Sequence, residues 1–153
     1  MKGLAKKNTL IASISERLKS IGRNGATVTQ TGGLNKKSIN QIRDKLDEWI
    51  KEGKFLENYS TDEILDEFGI TRKELSFYCS SILKKKFVSW RKELRVKEAQ
   101  RLLVENPDTP ACHIGFAAGF SDKSNFRQQF KSVVGCTPTE WRERYLNGHK
   151  EKN

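Results

Sequence analysis

The chain has 153 residues, with 29 Lys plus Arg against 19 Asp plus Glu and a formal net charge of +10, which leaves room for one or two small domains. It contains no run of about 18 apolar residues, the length a membrane-spanning helix needs, and "LIASISERL" breaks into charge too early for a secretory signal. Three widely spaced cysteines, Cys79, Cys112 and Cys136, argue against a disulfide framework and fit a reducing compartment.

The basic excess is uneven. Residues 1–37 carry eight basic and one acidic residue, residues 38–60 four and five, and residues 61–153 seventeen and thirteen. Much of the charge therefore lies ahead of the segment with the strongest folding signals, and a nucleic-acid reading must rest on where the charges sit.

In chain order, Leu10, Ile11, Ile14, Leu18 and Ile21 recur at helical spacing and predict an amphipathic helix over 8–21. "GRNGATVTQTGGLNKK" then reads as a linker to about Lys37. Ile39, Ile42, Leu46, Trp49 and Ile50 predict a helix over 38–52. "YSTDEILDEFGI" offers a cap at Ser60 or Thr61, a short helix and a stop at Gly69, a residue that readily takes the left-handed conformation. Thr71 is expected to cap the next helix, to about Leu83. Two short helices joined by a three- to four-residue glycine turn form the helix-turn-helix pattern.

That pattern recurs. "TPACHIGFAAGFSDKSNFRQQFKSVVG" predicts a short helix over 110–118, a stop at Gly119, a cap at Ser121 and a helix over 122–134. Aligning the turn glycines matches Leu75 with Phe126 when the second turn is allowed one extra residue. Between the two units, residues 87–106 contain no Gly or Pro, and apolar Phe87, Trp90, Leu94, Val96, Ala99, Leu102 and Leu103 occupy more than one stripe, as in a helix sandwiched between two halves. Its length of about 30 Å approaches the roughly 34 Å of one DNA turn. Thr137 and Pro138 open a closing helix over 137–146. The expected fold is all-α: two helix-turn-helix subdomains joined by a long helix, about seven helices in all, plus the extra N-terminal helix.

The stretch "WRKELRVKEAQRLL", followed by "IGFAAGFSDKSNFRQQFKSVVGCTPTEWR", resembles the DNA-binding domain of the AraC/XylS family of bacterial transcription regulators. Gly119, Phe120, Ser121, Asp122, Ser124, Asn125, Phe126, Phe130, Lys131, Gly135, Thr137, Pro138 and Arg142 stand in the places of that family's signature. The resemblance covers residues 38–146. Residues 1–37 are expected to be an N-terminal helix and flexible linker, the remnant of an upstream region, and residues 147–153 a disordered tail. The first unit departs from the family: Cys79-Ser80 replaces an aromatic-basic pair, and Lys84 falls where a glycine is usual. Gly115 replaces an alanine, a small-for-small exchange expected to be tolerated at a close helix contact.

Base edges in the major groove present acceptors and donor–acceptor pairs that Arg, Lys, Asn and Gln match, and in a helix-turn-helix the N-terminal residues of the second helix reach them. In the second unit those are Lys123, Ser124, Arg127 and Gln128, with Asn125 beside them either to read or to stabilise the turn. In the first they are Arg72, Lys73 and Ser76, while Phe77 either packs in the core or touches a thymine methyl. Phosphate contacts are expected from Lys84, Lys85, Lys86, Arg91, Lys131 and Arg142, and from helix N-termini near Thr61 and Thr109. The "KKK" run equally fits a merely solvated loop.

Enzymatic readings find little footing. Cys112-His113 is an adjacent pair without metal-ligand spacing and reads as structural. No phosphate loop or paired catalytic carboxylates occur, so no catalytic residue, metal or cofactor is expected. The resemblance implies a cytoplasmic bacterial regulator whose partners are double-stranded promoter or operator DNA and RNA polymerase, its sensor or dimerisation module lying outside this chain. A helical protein–protein adaptor without specific DNA binding is the competing reading.

Overall fold

The computed structural model describes residues 34–150. The helix expected over 8–21 and most of the expected linker lie outside the described residues. Seven α-helices and no strand occur among the described residues: α1 (Lys36–Lys51), α2 (Thr61–Phe68), α3 (Arg72–Tyr78), α4 (Phe87–Glu105), α5 (Ala111–Ala117), α6 (Lys123–Val134) and α7 (Pro138–Lys150). A short 3-10 turn, Lys54–Leu56, follows α1, and a π-helical turn, Cys79–Leu83, continues α3. The chain divides into two compact units whose boundary falls inside α4, between Trp90 and Arg91.

The first unit gathers on α1. Ile42, Leu46, Trp49 and Ile50 are buried along one face, as the i, i+4, i+7, i+8 spacing requires. Trp49 is the hub, with ring centroids 6.4 Å from Phe55, 6.0 Å from Phe87 and 6.4 Å from Trp90. Ile64, Leu65 and Phe68 from α2 and Leu75 and Tyr78 from α3 are buried as well. Lys45 ties α1 to the end of α2 by donating Nζ to the Phe68 carbonyl. Lys54 bridges Glu67 and Glu52, and the two carboxylates hold its ammonium well above the usual lysine range.

In the second unit Val96, Ala99 and Leu103 from α4 meet Ile114, Ala118 and Phe120, and α6 adds Phe126 and Phe130. The aromatic rings run on from there, Phe130 to Trp141 at 6.1 Å, Trp141 to Tyr145 at 5.4 Å and Tyr145 to His149 at 4.2 Å. Glu98 is buried on α4 in a bidentate pair with Arg101, at 3.0 and 2.7 Å, and Arg101 also reaches Glu105 at 2.5 Å.

Three boundaries differ from expectation. Helix α1 begins two residues early because the Asn35 side chain accepts from Ser38 N at 2.8 Å and caps it. The expected tail is helical through Lys150: Trp141, Tyr145 and His149 stack at i, i+4 spacing, and His149 Nδ1 lies 3.0 Å from the Tyr145 carbonyl. Ser121 does not cap α6. Asp122 does, extended at φ −150 and ψ 163, its carboxylate accepting from Asn125 N at 2.7 Å.

Candidate nucleic-acid interface

Both turns are built from the same backbone hydrogen bonds. In the first, Gly69 N donates to Asp66 O and Ile70 N to Leu65 O, each at 3.2 Å. In the second, Gly119 N donates to Phe116 O and Phe120 N to Gly115 O, each at 3.0 Å. This is the Schellman pattern, with a glycine in the left-handed region (φ 66 and φ 92) followed by an apolar residue. The second turn holds one more residue before its cap, so Leu75 lies four residues past cap Thr71 and Phe126 four past cap Asp122. Both are buried and dock their helices on the core.

That docking determines what faces outward. Counting from the cap, the first, second, fifth and sixth positions of α6 are Lys123, Ser124, Arg127 and Gln128, and all four are exposed. Asn125, at the third, is half-buried, and its backbone N–H closes the cap. Lys123, Arg127 and exposed Lys131 form a cationic row at i, i+4 and i+8, and α6 contains no acid. Like charges at this spacing cost an isolated helix a few tenths of a kcal/mol per pair, about 0.2–0.5. A row of that kind suits a polyanion.

The corresponding positions of α3 are Arg72, Lys73, Ser76 and Phe77, of which the first three are exposed and Phe77 is half-buried. Their surroundings differ. The third position is Glu74, whose carboxylate accepts from Thr71 N at 2.7 Å in a capping box. Arg72 donates to Asp62 at the start of α2. Glu63 closes a second box on Ser60, and the Ser60 N–H and hydroxyl hold its carboxyl below the usual range. The tip of α3 thus carries two cations beside the Asp62 and Glu74 carboxylates, whereas the tip of α6 has Lys123 and Arg127 against Asp122 alone.

The remaining phosphate candidates fall into different settings. Lys84 and Lys86 are exposed and Lys85 is half-buried. Arg91 is half-buried, and burial lowers its affinity for its proton. Arg142 turns back into the second unit, where its two terminal nitrogens donate to the Pro107 and Thr109 carbonyls at 3.2 and 2.7 Å. It thereby fastens α7 to the loop between α4 and α5. Cys112 is half-buried and His113 exposed, and no group of three or more His, Cys, Asp or Glu able to hold a metal occurs among the described residues. No helix among them is long and apolar enough to cross a membrane.

Two features were not singled out from the sequence. Asp122 as cap follows from the Leu75–Phe126 register, which already required one residue more before the helix. Asp62 as the partner of Arg72 carried no signal, since the two are ten residues apart in different helices.

A sequence model described as a helix-turn-helix domain matches residues 64–144. Over 89 residues the chain is 29% identical to the HTH-type transcriptional regulator ExsA of Pseudomonas aeruginosa, covering 58% of this chain and 32% of that protein. It is 26% identical over 99 residues to the HTH-type transcriptional regulator ArgR of the same organism, covering 65% and 30%. The chain thus spans about a third of the length of these curated relatives. A Listeria innocua protein of unknown function superposes with a TM-score of 0.58 at 24% identity, over 67% of this chain and 94% of that one, a likeness of fold.

Proposed function

The chain belongs to the AraC/XylS-type helix-turn-helix family, and on that premise we propose that it is a sequence-specific, double-stranded-DNA-binding transcription regulator whose helices α3 and α6 enter successive major grooves. The observation that carries this reading is the outer face of α6: exposed Lys123, Ser124, Arg127, Gln128 and Lys131, with no acid in the helix. These side chains supply the donors and amides that base edges and phosphates accept. Lys123, Ser124, Arg127 and Gln128 are the base readers, with Arg72, Lys73 and Ser76 in the corresponding places of the first unit. Lys131 contacts phosphate. A promoter or operator is the DNA partner and RNA polymerase the protein partner. The protein acts in the bacterial cytoplasm and performs no catalysis.

Selecting bound duplexes from a random library tests the proposal. An enriched motif with half-sites about one helical turn apart is expected. Arg127→Ala should then lose about 1–3 kcal/mol of discrimination at one base position. If the library yields no motif and binding to any duplex is insensitive to salt, the adaptor reading takes its place.

A further inference from the structure

The three consecutive lysines after α3 do not share one environment. Beyond Tyr78 the backbone widens into the π-helical turn Cys79–Leu83, and Lys84 then adopts φ 60 and ψ 27, in the left-handed region. The chain reverses there, with Lys85 N donating to Cys79 O at 3.2 Å. As a result Lys85 and Lys86 line a cleft of about 320 Å³ together with Thr61, Arg72, Ser76 and Ser80. Lys84 is not part of its wall.

We propose that this cleft seats one DNA backbone phosphate, a contact that fixes the register in which the first unit lies on the duplex. The inference rests on the DNA-binding reading. Three cations and the hydroxyls of Thr61 and Ser76 converge on the cleft, and no carboxylate lines it. A phosphodiester carries charge and only accepts hydrogen bonds, which is the complement of such a wall. The Ser80 hydroxyl donates to Phe77 O at 3.2 Å and shapes the turn. Val88, 70% exposed on the same wall, offers an apolar surface for the neighbouring deoxyribose. Arg72, on the same wall, pairs with Asp62 in an exposed and correspondingly weak ion pair.

The test compares the full chain with Lys85→Gln/Lys86→Gln and with Lys84→Gln, substitutions that keep the aliphatic stems. Affinity is measured against salt concentration on a selected duplex and on a random one. The double variant should lower the slope of log affinity against log salt by about 0.9, the value of one phosphate contact. It should weaken both duplexes by the same factor and leave the selected motif unchanged, while Lys84→Gln keeps the wild-type slope. The seat is refuted if Lys84→Gln lowers the slope as much as the double variant, or if the double variant changes base preference. A wild-type protein that binds no duplex removes the DNA reading itself, and the seat with it.

Discussion

Gly115→Ala probes the joint that sets the attitude of α6. Gly115 is buried in α5, and an alanine Cβ built there would lie 2.5 Å from Phe126 Cδ2, 2.6 Å from Cγ and 3.0 Å from Cβ. Carbon atoms in contact prefer about 3.5–4.0 Å, so something must move by about an ångström. The near atoms belong to the root of the Phe126 side chain, which cannot swing aside as a flexible tip would. The ring is also enclosed, 5.0 Å from Phe120 and 5.8 Å from Phe130 between centroids. Overpacking of this kind costs about 1–3 kcal/mol. Alanine returns about 0.5–1 kcal/mol as the better helix residue. The net expectation is a loss of about 1 kcal/mol, or roughly 4–8 °C in Tm for a unit of this size. Urea and thermal unfolding measure it. Since Phe126 is the residue that docks α6, discrimination between a selected and a random duplex should fall as well. In a Phe126→Ala background, which removes Cγ and Cδ2, Gly115→Ala should cost less than in the wild type, a coupling that a double-mutant cycle reads directly. If Gly115→Ala instead stabilises the protein by the full helix-propensity gain, the close approach of α5 and α6 is wrong. The exchange of glycine for the family's alanine is thus not a symmetric one: glycine is tolerated here, but the present packing leaves no room for the reverse.

Three further outcomes follow from individual residues. Lys84→Gly should stabilise by about 0.5–1 kcal/mol, because φ 60 strains any side-chain-bearing residue; an unchanged urea midpoint would mean that the strain is relieved elsewhere. Arg101→Ala should destabilise by about 3 kcal/mol by leaving the buried Glu98 carboxylate without its bidentate partner. Glu98→Leu combined with Arg101→Met should restore most of that loss, and a double variant as unstable as Arg101→Ala would contradict the assignment. Burial pushes the Cys79 thiol up to about 12, so iodoacetamide at pH 8 should modify half-buried Cys112 well before Cys79, with mass spectrometry as the readout. The same raised value makes stability fall as pH climbs above about 9, where the unfolded thiol ionises and the folded one keeps its proton.

Most of the fold was legible because its signals are local. Gly69 and Gly119 mark their own turns, Ser60-x-x-Glu63 and Thr71-x-x-Glu74 write out capping boxes, and Thr137-Pro138 opens α7. The boundaries that were missed depend on choices between adjacent residues with similar chemistry. Ser121 and Asp122 are both good caps, and the choice is made by where Phe126 must dock, which is a tertiary constraint. The end of α7 was misplaced because polar "NGHK" looks like a tail, and only the stacking of His149 on Tyr145 shows why the helix continues. The π-helical turn was invisible, since i to i+5 bonding has no residue signature, although Lys84 in a glycine's place was a hint that the chain bends there. The same limit applied to the site. Exposure at the α6 tip follows from helical periodicity, whereas Arg72 with Asp62, and Lys85 and Lys86 in one cleft without Lys84, arise only when separate segments are brought together.

The placement of Asp122 shows how a helix can be both cationic and folded. Along α6, Lys123, Arg127 and Lys131 repel one another, and the usual remedy of acids at i, i+4 would neutralise the outer face. A single carboxylate in the cap accepts from Asn125 N and meets the positive end of the helix dipole, contributing about 1 kcal/mol. Lys131, in the last turn, sits where the dipole favours a cation. In α3 the stabilising acid is Glu74, inside the helix and next to the outward positions, and Asp62 draws on Arg72 as well. The two helices share a turn and a docking residue, yet only α6 keeps its acid off the outer face. That asymmetry, more than the total charge of the chain, is what sets the outer face of α6 apart from that of α3.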